Sequence, residues 1–448
     1  MKRRLSVTTT VILAATLMLS ACGGGQAKPS SNPGAETPKP SAEQKPITLK
    51  MWGGVPPESG PQEAVDNWNK ANPNIKVEYT RFVNDESGNL KLETALLSNN
   101  DAPDIFVTYS DSNMTKRVQA SMAIPLDDLI AKEKFDVEGI IGSANFKKFP
   151  DGKIYYLPAN KNVSAILFNQ KALDEIGEKV PTSWTWDEFE ALAKKLNKGD
   201  RKGFATDPAL GNLGDAALLT AKPVDRDITA DGTSNYNHAA VKKGLEIQKR
   251  LEDSGVMVKY SEAVANKLTA QNELLTGKAA MVMGGIYLLR YVKDTKAFPH
   301  DFPVSFAPIP QWEKGGNVNS GGVGDYLSIS KNSPNKEAAF RFISWYLTEG
   351  NMSMLPGGRI PTSKKADAAK ITTQLIGDAP NLVHLDSLKS LLSANYKFQT
   401  SYDVPASTEL KAIFKEESEK YLLNAQNIDK TLEVMKSRSD AAIKAAKK

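Results

Sequence analysis

Short apolar runs alternate with amphipathic helical segments from residue 47 onward, and this alternation limits the possible folds more than any other feature of the chain. The stretches between the apolar runs carry apolar residues at helical spacing, and Pro61 fits the first position of the first helix. Strands are predicted at 47–52 (ITLKMW), 75–80 (IKVEYT) and 104–109 (DIFVTY). The order strand, helix, strand, helix, strand predicts a doubly wound α/β fold.

In such sheets, ligands collect beyond the carboxyl ends of the strands. Residues 52–59 and 109–113 follow the first and third predicted strands. We therefore expect these two segments to border any binding site.

The first 21 residues have the parts of a secretory signal peptide: a basic head at 2–4, a short apolar segment at 11–19, and small residues up to Ala21. The apolar segment is too short for a permanent anchor, because about 20 residues are needed to cross the hydrocarbon. The order LSAC, ending at Cys22, resembles the lipobox of bacterial lipoproteins. That resemblance implies cleavage before Cys22, acylation of its sulfur, for example by palmitate, and anchoring to the outer face of the bacterial cell membrane.

Cys22 is the only cysteine among 448 residues. An incidental cysteine in an ordinary signal peptide and a buried thiol are the alternatives. A residue between a leader and a polar tail has no core to occupy, and no second cysteine could form a disulfide with it. The folded body must therefore be held together by its hydrophobic cores.

Residues 23–46 contain no Val, Ile, Leu, Met or aromatic residue, so nothing in them can be buried to offset the entropy of ordering. We predict that residues 22–46, including the lipidated cysteine, form a disordered tether. Such a coil spans roughly 25 to 30 Å on average.

The charge of the mature chain is close to neutral. Removal of the leader leaves 54 basic side chains against 52 acidic ones. This balance gives little support for nucleic-acid binding, which needs a basic domain with clustered Lys and Arg.

The segment SWTWDEFEALAKKL (183–196) contains two tryptophans, but its spacing favours a structural role. Thr185 and Glu188 have the S/T-x-x-E spacing of a capping box. Trp184 and Phe189 then occupy the positions of a hydrophobic staple. We predict that these aromatic side chains belong to the core, with ligand contact as the alternative.

A set of motifs resembles the extracellular solute-binding proteins of ABC importers, in the branch that includes maltose-binding protein. The similarity extends from Ile47 to the C-terminus. The motifs are the first strand ending in Trp52, APDIFVTYSD (102–111), DGKIYYLP (151–158), ILFNQKAL (166–173), WTWDEF (184–189), TGKAAMVMGGIY (276–287), GDYLSISKNSPNKEAAFRFISWYL (324–347) and GRIPTSKKA (358–366).

The resemblance implies a two-lobed periplasmic-binding-protein-like fold of type II, with several interlobe crossings and a C-terminal helical segment. Residues 47–160 plus 279–320 are expected to form lobe 1, and 161–278 plus 321–448 lobe 2. The crossings are expected near 157–162, 277–281 and 322–330. The lobes would close around a solute and deliver it to the transmembrane subunits of a permease.

A sugar presents apolar faces and rims of hydroxyls, so its site needs aromatic rings together with amide, carboxylate or guanidinium groups. Loop ends of the predicted lobes carry this mixture. The candidate ligand-binding residues are Trp52, Glu58, Tyr109, Asp111, Asn160, Asn162, Tyr287, Trp312, Asp325 and Arg359. In the family pattern, the aromatic residue at 287 is usually Trp, and an acidic residue often stands in place of Asn162.

Some of these residues have alternative structural roles. Trp52 could belong to the core, because tryptophan is often only partly buried. Asp111 could cap the following helix. Asn160 could be a turn residue after Pro158.

Competing functions are a surface-anchored polysaccharide hydrolase or lyase, a binding protein for a non-sugar solute, and a structural surface protein. A glycosidase needs two carboxylates across a cleft, and no motif identifies such a pair. No catalytic residue, cofactor or metal is therefore predicted, although DRDITADG (225–232) has a weak likeness to a calcium loop that lacks its third ligand. We expect a monomer that binds a carbohydrate and touches the membrane only through its lipid.

Overall fold

The computed structural model describes residues 46–208, 211–224, 226–398 and 406–447. These residues belong to one compact unit, Lys45–Lys448. The predicted signal peptide (1–21), Cys22 and the predicted tether up to residue 45 lie outside the described residues. No helix in the described ranges combines the length and the apolar composition that crossing a bilayer requires.

The strands are β1 (Ile47–Gly53), β2 (Ile75–Arg81), β3 (Ile105–Thr108), β4 (Leu157–Asn162), β5 (Ser164–Asn169), β6 (Lys202–Ala205), β7 (Ala279–Gly285), β8 (Val304–Pro308), β9 (Val318–Asn319), β10 (Gly322–Ile329), β11 (Ile360–Pro361) and β12 (Lys397–Phe398).

The helices are α1 (Pro61–Ala71), α2 (Glu86–Leu97), α3 (Asp111–Gln119), α4 (Asp127–Lys132), α5 (Val137–Ile140), α6 (Gln170–Asp174), α7 (Trp186–Leu196), α8 (Leu213–Ala221), α9 (Ala239–Asp253), α10 (Tyr260–Ala265), α11 (Ala270–Leu275), α12 (Leu289–Lys293), α13 (Lys336–Thr348), α14 (Ala368–Ile376), α15 (Leu385–Ser393), α16 (Ser407–Leu422) and α17 (Ile428–Ala446). Short 3-10 helices occur at Pro57–Ser59, Ser143–Asn145, Ile286–Leu288, Gly350–Gly357 and Pro380–Leu382.

The first sheet has six strands in the order β11-β4-β10-β3-β1-β2. β1 runs parallel to β2 and β3, whereas β10 is antiparallel to both β3 and β4. The three strands predicted between residues 47 and 109 are confirmed, and so is the helix that begins at Pro61.

Side chains of the first sheet alternate between its two faces, as the two-residue period of a strand requires. In β3, Ile105 and Val107 pack into a core with α1 and α13, whereas Phe106 packs on the opposite face with α2 and α3. Both faces are therefore covered, as expected for parallel strands.

The second sheet has four strands in the order β6-β7-β5-β8. β7 and β8 flank β5 in antiparallel pairing, and β6 runs parallel to β7. One face packs against α11, α12 and α15, and the other against α7 and α9. The predicted C-terminal helices are confirmed as α16 and α17, which pack on α8 and α9 and so extend this half of the molecule.

Sheet membership corrects the predicted division of the chain. Residues 279–320 were expected in lobe 1, but β7 and β8 pair with β5 in the second sheet. The whole of segment 321–448 was expected in lobe 2, but part of it enters the first sheet as β10 and β11. The expected return near 277–281 is likewise wrong, because β7 stays in the second sheet.

Helix α7 begins as its sequence predicts. The Thr185 side chain accepts a hydrogen bond from the backbone N–H of Glu188, and the Glu188 carboxylate accepts one from the backbone N–H of Thr185 at 2.8 Å. Trp184 and Phe189 are buried with their ring centroids 5.7 Å apart. The predicted capping box, staple and core roles of these residues are confirmed.

Thr185→Ala removes the acceptor for an N–H at the start of α7. We expect it to lower the free energy of unfolding by about 1 kcal/mol, the usual contribution of such a cap. Thr182→Ala, in the exposed segment before the helix, is the matched control with little expected effect. Denaturant unfolding of both variants checks this, and equal stabilities would contradict the capping role.

Candidate functional site

Several chain ends meet at one edge of the first sheet. The parallel strands β1 and β3 finish there at Gly53 and Thr108. Because β10 is antiparallel to β3, and β4 to β10, β10 begins and β4 ends at the same edge. The loops after residues 53 and 108 therefore lie beside Asn162 and Gly322.

The second sheet presents a corresponding edge. β5 begins at Ser164, so the chain passes from one sheet to the other at Val163, which confirms the crossing expected next to 157–162. β6, β7 and β8 all end at the edge where β5 begins. The two edges thus adjoin the same crossing, and the segments that follow β7 and β8 stand opposite those of the first sheet.

A direct contact also joins the two halves away from the crossing. The Lys411 ammonium on α16 donates a hydrogen bond to the Ser112 hydroxyl on α3, at 3.4 Å. Because α16 packs with the second sheet's helices and α3 with the first sheet, the cleft between the edges is bounded on this side.

Asn160, Asp325 and Arg359 form one hydrogen-bonded cluster. The Asp325 Oδ2 accepts from Asn160 Nδ2 and from Arg359 Nε, each at 2.7 Å. Burial opposes the charge of the Arg359 guanidinium, but Asp325 outweighs it, and the pKa of Arg359 is raised. This carboxylate therefore links β4, β10 and the segment leading into β11.

Asp325 has a left-handed backbone, with φ of 51°. Asp and Asn adopt this conformation at lower cost than most residues. The conformation supports the placement of the carboxylate between its two donors.

Tyr109 lies beneath the loop that follows β1. Its hydroxyl accepts a hydrogen bond from the backbone N–H of Gly54 at 2.6 Å. Burial, followed by the charge of Asp325, raises its pKa. A cavity of about 10 Å³ near Tyr109 is also lined by Tyr79, Asp325 and Tyr346 and is too small for a saccharide. Tyr109 thus supports the loop and lies close to the Asp325 cluster.

Asp111 is the first residue of α3 and accepts a hydrogen bond from the Tyr326 hydroxyl at 2.6 Å. The alternative that Asp111 caps this helix is not supported, because the N-cap is Ser110. Tyr326, which sequence reasoning did not select, is buried against Tyr156 with ring centroids 4.3 Å apart. Its position inside the GDYLSISKNSPNKEAAFRFISWYL motif (324–347) gave no sign of this long-range contact.

Trp52 is partly exposed near the end of β1 and packs beside the cluster of Phe82 and Phe106. The Lys91 ammonium lies 6.0 Å from its ring centroid. One part of the indole is therefore core, as the structural alternative expected, and another part is accessible.

Asn160 and Asn162 each have a buried Oδ1 without a hydrogen-bond donor among the described residues. Asn160 is 3% exposed, and its place in β4 replaces the expected turn role. An unpaired buried amide oxygen costs about 1 to 3 kcal/mol. The hydrogen-bonding capacity of both oxygens is thus unused within the described residues.

Tyr287 lies in the 3-10 helix directly after β7 and is partly exposed. Burial raises the pKa of its hydroxyl to about 12. Gly358 adopts φ of +78°, and a Cβ there would lie 2.3 Å from the Ile286 oxygen and 2.7 Å from the Tyr287 Cα. The chain before Arg359 therefore touches the main chain at Tyr287.

Glu58 and Trp312 are among the predicted residues that make no described contact with the Asp325 cluster. Glu58 is exposed in the 3-10 helix Pro57–Ser59. Trp312 packs near His238, with ring centroids 6.0 Å apart, and near the Lys243 ammonium at 5.5 Å. Glu58 nevertheless follows β1 at the first edge, and Trp312 follows β8 at the second.

A larger cavity of about 430 Å³ lies beside β8, between the segment 174–183 and α15. Phe306, Pro308 and Tyr396 contribute to its lining, and none of the ten predicted residues does. Among the described residues, no group of three or more His, Cys, Asp or Glu side chains could hold a metal ion. Asp225, in the segment with a weak likeness to a calcium loop, lies outside the described residues.

A model of the bacterial extracellular solute-binding protein family matches residues 53–353. The match covers more than half of the chain, which therefore belongs to this family. The resemblance seen in its motifs is confirmed.

Similar proteins agree with this assignment. An uncharacterized lipoprotein of Streptomyces antibioticus is 26% identical over 380 residues, which are 82% of this chain and 78% of that protein. An arabinooligosaccharide-binding protein of Bacillus subtilis is 21% identical over 292 residues, or 63% of this chain and 65% of that protein.

Among solved structures, an ABC substrate-binding protein of Listeria monocytogenes in complex with cycloalternan superposes with a TM-score of 0.73. It is 20% identical, and the likeness covers 90% of this chain and 99% of that one. Together with the two sheets, this likeness confirms the predicted α/β fold of two lobes.

Asp325→Asn replaces the shared acceptor by an amide and leaves the largely but not fully buried Arg359 cation without its carboxylate. We expect the free energy of unfolding to fall by about 3 kcal/mol, the scale seen when one partner of a buried pair is removed. Asp301→Asn, at an exposed pair with Lys171 at 3.9 Å, should change it by less than about 1 kcal/mol. Denaturant unfolding checks both, and equal effects would contradict the role of the cluster.

Proposed function

We propose that this protein is the extracytoplasmic binding component of an ABC importer, which captures a sugar or oligosaccharide between its two sheets and delivers it to the permease subunits. The observation that carries the proposal is the meeting of two sheet edges at Val163, with aromatic rings and unpaired amide oxygens on them. Family membership and the sugar ligands named for similar proteins support it.

The proposed ligand contacts come from both edges. The rings of Trp52 and Tyr287 would cover apolar sugar faces, and Asn160, Asn162 and Arg359 would bond hydroxyls. Asp111, Asp325 and Tyr109 would act mainly by holding these groups in place. Glu58 and Trp312 are proposed at the outer ends of the cleft, where a longer oligomer would extend.

Binding without chemical change is also proposed. Asp111 is engaged by Tyr326, and Asp325 by Asn160 and Arg359. Both acids stand on the first sheet's edge, whereas a glycosidase needs its two carboxyl groups on either side of the scissile bond. A polysaccharide hydrolase or lyase is therefore disfavoured.

We further propose that lipid on Cys22 holds a monomer at the outer face of the cell membrane. In that arrangement, the tether lets the two lobes reach the permease. Lobe closure would be driven by a ligand that contacts both edges, because only such a ligand favours the closed state over the open one.

Tyr287→Ala removes a proposed stacking ring, and we expect oligosaccharide affinity to fall by at least about fivefold. Tyr287→Phe keeps the ring and should retain most of the affinity. Isothermal titration against a panel of neutral and acidic oligosaccharides, with analysis of the sugars afterwards, measures binding and turnover together.

Tyr396→Ala is the matched control, because Tyr396 lines the other cavity. Loss of binding in this variant, with Tyr287→Ala unaffected, would show that the ligand binds in the cavity beside β8. Sugar cleavage would refute a purely binding role, and absence of binding to every saccharide would refute the carbohydrate assignment.

A further inference from the structure

Arg290 differs from the other arginines in the way its charge is balanced. Seven of the nine arginines in the described ranges lie within salt-bridge distance of a carboxylate. Arg81 is exposed, and water can solvate it. Arg290 is partly buried without a carboxylate among the described residues within 4.0 Å.

The known contacts of Arg290 are aromatic. Its guanidinium carbon lies 4.5 Å from the ring centroid of Tyr291 and 6.0 Å from that of Tyr287. Its Nη2 donates to the Tyr291 hydroxyl at 2.8 Å. The Nε is buried and has no acceptor among the described residues.

The segment that carries a second arginine contacts Tyr287 from the other half of the molecule. Gly358 abuts the main chain at Tyr287, and Arg359 follows it directly in the chain. Arg359 is bound through Nε to Asp325, but its Nη1 is buried without an acceptor. Both arginine charges act to lower the pKa of Tyr287, against the raising effects of burial and Asp207.

Two arginines, one near the Tyr287 ring and one on the segment that contacts its main chain, thus each have a buried N–H group without an acceptor among the described residues. Burying a cation is costly unless a paired group compensates it. Asp325 supplies one negative charge for Arg359, and the charge of Asp207 acts on Tyr287. An oxyanion carried by the ligand would supply the missing acceptor, and planar guanidinium groups suit carboxylate and phosphate oxygens.

We propose that Arg290, with Arg359, binds an anionic group on the sugar, so that the preferred ligand is an acidic saccharide. This inference rests on the proposed function and names the class of ligand for the same cleft. Carboxylate of a uronic acid and phosphate ester share the required chemistry.

Matched ligand pairs test the proposal on the full-length chain in mild detergent. The pairs are galactotriose with trigalacturonate, xylotriose with its glucuronic-acid-substituted form, and glucose with glucose 1-phosphate. Isothermal titration at low salt should give at least about tenfold tighter binding of the acidic member in one or more pairs. The preference should shrink at high salt, and the pair that shows it distinguishes carboxylate from phosphate.

Variants assign the preference to Arg290. Arg290→Gln should weaken binding of the acidic ligand by about tenfold and of its neutral partner by less than about twofold. Arg290→Lys keeps the charge and should retain part of the preference. Arg341→Gln, at a surface pair with Glu133, should change neither.

Three results would overturn the proposal. Neutral members could bind as tightly as acidic ones in every pair, which would leave the carbohydrate-binding function intact. Equal losses for both members in Arg290→Gln would mean that Arg290 only positions Tyr287. Absence of binding to all six ligands would overturn this inference, and silence across the wider panel would overturn the proposed function with it.

Discussion

The carboxylate of Asp325 is the interaction on which the arrangement of the cleft depends most. It accepts hydrogen bonds from Asn160 in β4 and from Arg359 before β11 while itself belonging to β10. Each of these three segments adjoins a passage between the sheets. One buried charge therefore fixes, relative to one another, the chain segments about which the two halves would turn.

Removing this carboxylate from water costs free energy, and that cost explains which groups surround it. A buried carboxylate needs a compensating cation and several donors. Arg359 supplies the charge, Asn160 supplies a second donor, and a left-handed backbone at Asp325 brings the carboxylate to both. Among the described residues, the Oδ1 atoms of Asn160 and Asn162 and the Nη1 of Arg359 lack a hydrogen-bond partner, which the proposed ligand would supply.

The sequence was sufficient to predict the elements of this fold because their signals are local. Strand period, Pro61 at a helix start and the Thr185–Glu188 capping box depend on neighbouring residues only. Which strands pair with one another, in contrast, does not depend on neighbouring residues only. The segment 276–287, which contains β7, carries a family motif, but nothing in its own residues shows that β7 pairs with β5 on one side and β6 on the other, so the prediction placed residues 279–320 in the wrong lobe.

The residues of the candidate site show the same contrast between local signals and long-range contacts. Residues at strand ends, such as Trp52, Asn162 and Tyr287, could be selected because topology brings strand ends to one edge. Tyr326 and Arg290 could not, since their significance comes from a carboxylate 215 residues away in one case and from the absence of one in the other. Asp325 and Arg359 were selected as separate candidate residues, but their mutual bond is visible only in the structure.

The close approach of Gly358 to Ile286 and Tyr287 has a consequence for how the cleft could adapt. Here the two halves touch through main-chain atoms, whose size cannot be changed by substitution as the size of a side chain can. The separation of the two halves at this point is therefore set by main-chain contact, and an opening motion would turn about it. Longer or bulkier saccharides would have to be accommodated by the loop tips farther out.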